Sequence, residues 1–253
     1  VDDPGALIEH LTPAAVIGAV ALCAAVSTAV LLAFGVGSFV RPALAILRGA
    51  AQLAILAVIL SGVISDIRWV LGFLAVMLVA AVFTASGRLG RTRRTVLAVA
   101  AAMATGVALS GAIVFGFAVV PFTGRYLLAV GGILIGGSMI VATVTGRALS
   151  ATLADRWDQV EGWLALGARP RQATIGLARE AAWTGLVPLT DQTRTTGLVV
   201  LPGAFVGAVF GGLSPVAAGA FQIVVLAALV ASGSLAAVVL LMILRGDLVR
   251  PLR

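Results

Sequence analysis

Two polar constellations interrupt an otherwise apolar chain, and their residue types suit the handling of a charged or hydrogen-bonding cargo. Arg48 and Gln52 are four residues apart and share a face if their segment is helical. A charge at the centre of a membrane helix costs about 2.5 to 3.5 kcal/mol, so this pair is expected to face protein or water. The competing reading has Arg48, about a turn from its helix end, snorkelling to the interface. The second constellation is the continuous run Thr190-Asp191-Gln192-Thr193-Arg194-Thr195-Thr196, just after Pro188. Counting back from Gly211 and Gly212 at about 1.5 Å per residue puts this run near the inner membrane boundary, at the depth of Arg48. Arg48 and Asp191 are then placed to pair between helices, while Asp191 and Arg194, three apart, could instead neutralise each other on one helix. Either pair is a structural feature, or Arg48, Gln52, Asp191, Gln192, Arg194 and Thr195 line a polar vestibule on a substrate path.

Bond-breaking chemistry has no comparable support. No cluster of nucleophile, base and metal ligand stands out, so no catalytic and no metal residues are assigned. Cys23 is the only cysteine, lies in the first apolar run, and is read as packing; no intrachain disulfide is possible. His10, the only histidine, is read as a solvated loop residue, since a metal site would need companions. All of the basic residues are arginine, so a phosphate-binding loop ending in Gly-Lys-Ser or Gly-Lys-Thr is absent. If ATP drives this protein, another chain must bind it, and no cofactor is expected on this one.

The elements that carry these residues follow from composition. Hydrophobic residues make up 61% of the 253 positions and charged ones 11%, which marks an all-helical integral membrane protein. The expected spans are Thr12 to Phe34, Ala43 to Ile64, Trp69 to Ser86, Thr95 to Val120, Tyr126 to Leu149, Trp183 to Gly212 and Pro215 to Leu244. About seven such helices fill the chain as one membrane domain, 1–253, without a separate soluble domain. The first run is too long for a signal-peptide core and follows Asp2, Asp3 and Glu9 rather than a basic region, so it is expected to remain as a span. Arg41, the cluster Arg88, Arg91, Arg93 and Arg94, the group Arg156, Arg169, Arg171 and Arg179, and the tail Arg245, Arg250 and Arg253 fall on one side of these spans. Only Arg68 and Arg125 flank the other side. Because arginine is retained in cytoplasmic loops, the N-terminus is expected outside and the C-terminus in the cytosol of a multi-pass cell-membrane protein, with a bacterial inner membrane the expected setting. The net charge of +7 then reports topology first and attraction to anionic lipid second. Arginines spread over short loops do not form a nucleic-acid-binding face.

One long polar segment, about 150–183, is expected to lie in the cytosol. Leu153, Trp157, Val160 and Leu164 fall on one helix face, with Asp155, Arg156, Asp158 and Gln159 opposite. Gly167 suits the left-handed residue that ends a helix and Pro170 the first turn of the next. Leu164, Gly167, Ala168, Arg169, Pro170 and Arg171 therefore form a tight corner, read either as a knob that another protein holds or as an ordinary interhelical excursion. Further along, Pro202-Gly203 should weaken or kink the sixth helix. Gly203, Gly207 and Gly211 recur every four residues, a stripe that favours close packing between subunits, and Gly132 and Gly136 make a second such pair.

The order of these features resembles the Fet-type iron-export permease family of ABC transporters, whose relatives include plant aluminium-tolerance permeases. The resemblance runs through Arg48-Gly49-Ala50-Ala51-Gln52-Leu53, Arg125-Tyr126-Leu127, Leu164-Ala165-Leu166-Gly167-Ala168-Arg169-Pro170 and Arg179-Glu180-Ala181. It continues in Gly197-Leu198-Val199-Val200-Leu201-Pro202-Gly203 and Phe221-Gln222-Ile223. It implies a homodimeric permease driven by two copies of a separate cytosolic ATPase, which would hold the ATP and Mg, with the corner at Gly167 transmitting ATPase closure. Departures from the family pattern are Ala204, Phe205 and Gly207-Ala208 in place of methionines and a Gly-Gln step, and Gly136-Gly137-Ser138-Met139-Ile140 in place of an asparagine-bearing segment. Iron export is what the resemblance implies for the cargo. A lipid-like or other organic cargo fits the small apolar helix faces as well, and an ATP-independent channel or secondary transporter, with Asp191 as its ion or proton site, is the competing class.

Overall fold

The computed structural model describes residues 12–63 and 66–246. His10, the acidic residues Asp2, Asp3 and Glu9, the span end at Ile64 and the tail arginines Arg250 and Arg253 lie outside the described residues. The described elements are all helices: α1 (Pro13–Ala33), α2 (Arg41–Val63), α3 (Ile67–Gly87), α4 (Arg93–Gly116), α5 (Gly124–Asp155), α6 (Trp157–Ala165), α7 (Pro170–Ala173), α8 (Ile175–Thr195), α9 (Gly203–Phe210) and α10 (Pro215–Leu244). Six of them, α1 to α5 and α10, are long and apolar enough to cross a membrane. The chain is an all-α membrane protein.

The chain divides into two compact units, one ending at Val63 and one starting at Ile64. The first holds α1 and α2. Thr12 caps α1, its Oγ1 accepting from the Ala15 N–H at 3.3 Å, and Pro13 supplies the first helical turn, where a missing N–H costs nothing. No residue of α1 is buried, and Cys23, expected in packing, is exposed. In hydrocarbon this is not a defect, because lipid tails solvate such a helix as well as a protein core would.

In the second unit α4, α5 and α10 meet at small residues. Ser138 of α5 and Ser232 of α10 share a buried hydrogen bond of 2.6 Å. Gly106 of α4 faces the same place, and a Cβ there would collide with the Ser232 carbonyl oxygen. Close backbone approach substitutes here for the water-driven packing of soluble cores. Three apolar clusters stack along the bundle. Val114, Val120, Val130, Leu134 and Val225 belong to one, Ala98, Ala102, Met103, Ala142 and Leu240 to the next, and Leu149, Val160, Leu177, Ala181 and Leu241 to the third.

The expected sixth span, Trp183 to Gly212, is not one helix. It is α8, a non-helical stretch 196–202, and α9. The pair still runs the length of the bundle: Thr174, ahead of α8, donates to the Arg245 carbonyl at one end of α10, and α9 leads through Gly211 and Gly212 to Pro215 at the other. Pro202 and Gly203 do more than kink the helix. Gly197 takes φ +89, and the N–H groups of Leu198, Val199 and Val200 all turn back to the Thr195 carbonyl.

Candidate functional site

The turn at Gly167 is built as its residues suggest, but the one amphipathic helix expected to carry Leu153, Trp157, Val160 and Leu164 is two, with Leu153 and Asp155 at the end of α5 and the other three on α6. α5 ends at Asp155, Arg156 breaks the helix, and α6 carries Val160 fully buried against the cluster of Leu149, Leu153, Leu177 and Leu241, with Leu164 partly buried beside it. Asp155 and Arg156 at the break are exposed, as are Asp158 and Gln159 on the polar face of α6. The Trp157 indole N–H donates to the Glu161 carboxylate, and Arg156 grips Glu180 of α8 with two bonds of 2.7 and 3.0 Å. α6 closes in a Schellman turn: the Gly167 N–H reaches the Leu164 carbonyl at 2.9 Å, the Ala168 N–H reaches Trp163 at 3.0 Å, and Gly167 has φ +87. The next helix starts at once, with Pro170 in its first turn and the Gln172 Oε1 accepting from the Arg169 N–H at 2.8 Å.

This corner therefore has a fastened base and a bare tip. At the tip Leu166 is 82% exposed and Trp163 52%, flanked by exposed Arg169 and Arg171. Arg94 at the start of α4 donates to the Ile243 carbonyl at 3.1 Å, so a basic side chain satisfies the carbonyl-rich end of α10 close to the corner. Arg156, Arg169 and Arg171 lie on the corner itself, and Arg68 and Arg125 stand at the first turns of α3 and α5.

The polar run is positioned differently from its expected depth. A count from Gly211 passes through the break at 196–202, where the helical rise does not apply. Counted along α8 instead, Asp191 is sixteen residues from Ile175, about 24 Å along the axis. Its neighbour Leu189 packs in one cluster with Val141, Val225 and Leu229, beside the middle of α10. The run thus sits deep along the bundle rather than near the end that carries the corner. Four of its threonines bond back to their own helix: Thr190 to Leu186, Thr193 to Leu189, Thr195 to Asp191 and Thr196 to Gln192. Asp191, Gln192 and Arg194 remain exposed, and no ion pair joins Asp191 to Arg194 among the described residues. Arg48 and Gln52 are exposed on α2 in the first unit.

Of the glycine stripe, Gly203 and Gly207 have open space where a Cβ would stand, while Gly211 ends α9 and would meet only its own helix carbonyls. Of the second pair, Gly132 approaches the end of Met77 and Gly136 faces open space. The residue that spacing did not single out is Gln222. It is 6% exposed on α10, its Oε1 has no hydrogen-bond partner, and it lines a cavity of about 250 Å³ beside Thr196, Gly197, Leu201 and Pro202. Its signals were a polar residue within an apolar span and its place in the Phe221-Gln222-Ile223 motif of the resemblance.

Known proteins are similar to this chain in sequence. The rice (Oryza sativa subsp. japonica) UPF0014 membrane protein STAR2 is 32% identical over 245 residues, covering 93% of this chain and 85% of its own length. Protein ALUMINUM SENSITIVE 3 of Arabidopsis thaliana is 40% identical over 120 residues, 47% of this chain and 44% of its own. The probable iron export permease protein FetB of Escherichia coli (strain K12) is 31% identical over 120 residues, 47% of this chain and 46% of its own. No solved structure matches. The model of the uncharacterised protein family UPF0014 matches residues 14–248, which takes in the apolar helices, the corner and the broken α8–α9 pair, and this multi-pass membrane protein belongs to that family.

Proposed function

We propose that this chain is the permease subunit of an ABC-type exporter, driven by a separate cytosolic ATPase and working as a homodimer. The observation that carries the reading is the corner after α6, with Val160 fixed in the core and Leu166 and Trp163 presented at the tip. An apolar side chain held out on a rigid turn in water gains by burial against a partner, at roughly 25 cal/mol per Å² covered. Leu164, Gly167, Ala168, Arg169, Pro170 and Arg171 are the proposed coupling residues, the segment about 150–183 faces the cytosol, and the N-terminus lies outside. Two ATPase copies hold ATP and Mg; this chain breaks no bond.

Motion would enter at the corner and leave along two routes. One is the Arg156–Glu180 grip, which ties α6 to α8. The other is the contact of Thr174 with the Arg245 carbonyl, which ties the start of α8 to α10. Because α8 leads to the polar run and then to the break, a tilt at its base displaces Asp191, Gln192 and Arg194. These residues, with Arg48 and Gln52, form the proposed substrate path; exposed polar groups on membrane helices need water or a second copy of the chain beside them. The face of Gly203, Gly207 and Gly211, open at the first two, is the proposed contact between copies.

The name of the Escherichia coli relative favours iron as cargo and export as direction. A lipid-like or other organic cargo is the second reading, favoured by the apolar walls of the groove between α3, α4 and α5, among them Leu74, Val107 and Leu134. Co-expression with the nucleotide-binding subunit encoded in the same genome, followed by reconstitution, tests the assignment. A stable complex with two ATPases and ATP-dependent efflux is expected. Ion flux through the chain alone, with no ATPase retained, overturns it in favour of a channel or secondary transporter.

A further inference from the structure

We propose that two copies of this chain meet along α8, with Asp191 of each copy paired to Arg194 of the other across a two-fold axis. The inference rests on the homodimer reading above and adds to its glycine face the charges that hold it together. Within one chain those charges have no counterpart. Ala181, Gly185 and Leu189 recur every four residues and are buried, Gly185 against Thr145 of α5 and Leu189 against Gly233 of α10. Arg194 follows Gly185 by nine residues, about two and a half turns, so it stands on the opposite face of the helix, with Asp191 about one turn before it. Both side chains are exposed, and neither makes an ion pair within the chain among the described residues.

Their depth makes this arrangement costly for a single chain. Gly233, which Leu189 meets, is eleven residues, about 16 Å, from the Leu244 end of α10, and Asp191 and Arg194 follow Leu189 farther in. A charge at such a depth needs an opposite charge, polar protein or water beside it. The stretch that follows, 196–202, is non-helical, and its Leu198 and Val199 are exposed. Irregular backbone at membrane depth persists where protein covers it or where it lines a water-filled cavity, and lipid provides neither.

A second copy supplies the cover and the opposite charges together. The exposed face carries one acid and one base, so it is complementary to itself, which is what a two-fold contact requires. Two copies inserted in the same orientation are related by an axis along the membrane normal, and this sets α8 beside α8 in parallel. Asp191 and Arg194 of the other copy then differ in height by three residues, about 4.5 Å, within the reach of an arginine side chain. The charges of the pair of helices alternate in sign and cancel. The proposed substrate path along α8 is thereby lined by both copies rather than by one.

The test is capture between two differently tagged copies of the whole chain, co-expressed in bacterial membranes and solubilised in mild detergent. Unsubstituted copies should capture each other. Asp191→Arg with itself, and Arg194→Asp with itself, place only like charges at the contact and should lower capture at least about tenfold. Asp191→Arg co-expressed with Arg194→Asp restores both pairs between copies while leaving like charges on each helix, so capture should return to near the native level. Pairing of Asp191 with Arg194 on one helix, or with Arg48, predicts no such rescue. Capture that stays low in the mixture overturns the proposal, as does native capture in either single variant. If a single variant does not accumulate alone, the mixture still decides: recovery of both chains together supports the pair, and recovery of neither overturns it. Unsubstituted copies that fail to capture each other overturn the homodimer reading and the pair with it, whereas dimers indifferent to these charges keep that reading and lose the pair.

Discussion

Replacing Gly167 by valine isolates the corner from everything else in the molecule. A Cβ at this position meets nothing within 4 Å, so the cost is one of backbone alone: φ is +87, where a non-glycine residue is disfavoured by about 1 to 2 kcal/mol and a β-branched one stands at the upper end. The chain can escape the strain only by opening the turn. That forfeits the bonds from Gly167 to Leu164 at 2.9 Å and from Ala168 to Trp163 at 3.0 Å, each worth about 1 kcal/mol net. Both routes cost about 2 kcal/mol, so in the variant the strained and the opened turn are about equal in energy, and the ratio of native to open corner falls roughly thirtyfold, to about one to one. Val160 and its neighbours lie on the other side of α6, so the loss is local and the melting temperature of the purified chain should barely move. ATPase affinity, measured by surface immobilisation of the permease in nanodiscs, should fall about twofold as the competent corner drops to about half of the population, with ATP-driven efflux falling alongside. Gly167→Asn is the control, because asparagine tolerates the left-handed region far better than valine. Native affinity and efflux in the valine variant would refute the argument; so would an asparagine variant as defective as valine, since backbone conformation would then not be the cause.

Leu166→Glu should leave stability within about 0.5 kcal/mol, the residue being 82% exposed, yet abolish ATPase retention on co-purification; full retention would remove Leu166 from the contact. Arg156→Ala and Glu180→Ala act on a bidentate pair whose side chains are each 49% exposed, so a double-mutant cycle in thermal unfolding should give a coupling below about 1 kcal/mol that shrinks in high salt. Gly106→Ala should lower stability by about 1 to 3 kcal/mol, because the Ser232 carbonyl it meets is backbone and cannot swing aside; an unchanged melting curve would show that α4 and α10 separate freely. Gly207→Leu, by contrast, meets nothing within the chain, so folding should persist while the dimer weakens, and cysteines introduced from Gly203 to Gly211 should crosslink two copies.

The corner was legible in the residues because everything that shapes it is local. Val160 and Leu164 recur at helical spacing, and Gly167 and Pro170 carry their conformational preferences wherever they stand. The break at 196–202 left weaker marks. Val199, Val200 and Leu201 are as apolar as any membrane helix, and hydrophobicity does not distinguish a helix from an unwound strap lying beside a cavity. Gly197 and Pro202-Gly203 were the available signals, and their combined effect is a departure from helix rather than a kink. Once the helix is lost, a depth counted at constant rise is lost with it, which is why Asp191 lies about 24 Å along α8 rather than near the end that bears the corner.

Sequence alone determined that this is a helical membrane protein, the approximate limits of six of its apolar helices, and the corner, because partition into hydrocarbon and turn geometry each act over a few residues. Tertiary structure alone decided that Gly106, Ser138 and Ser232 meet at one point, that Leu189 brings the polar run to the middle of α10, and that Gln222 faces the unwound segment. Those contacts join helices far apart along the chain, and nearly every apolar face in a membrane protein can pack or meet lipid. Which faces meet is settled by how closely backbones approach at small residues, a property of the packed bundle that no single stretch of residues carries.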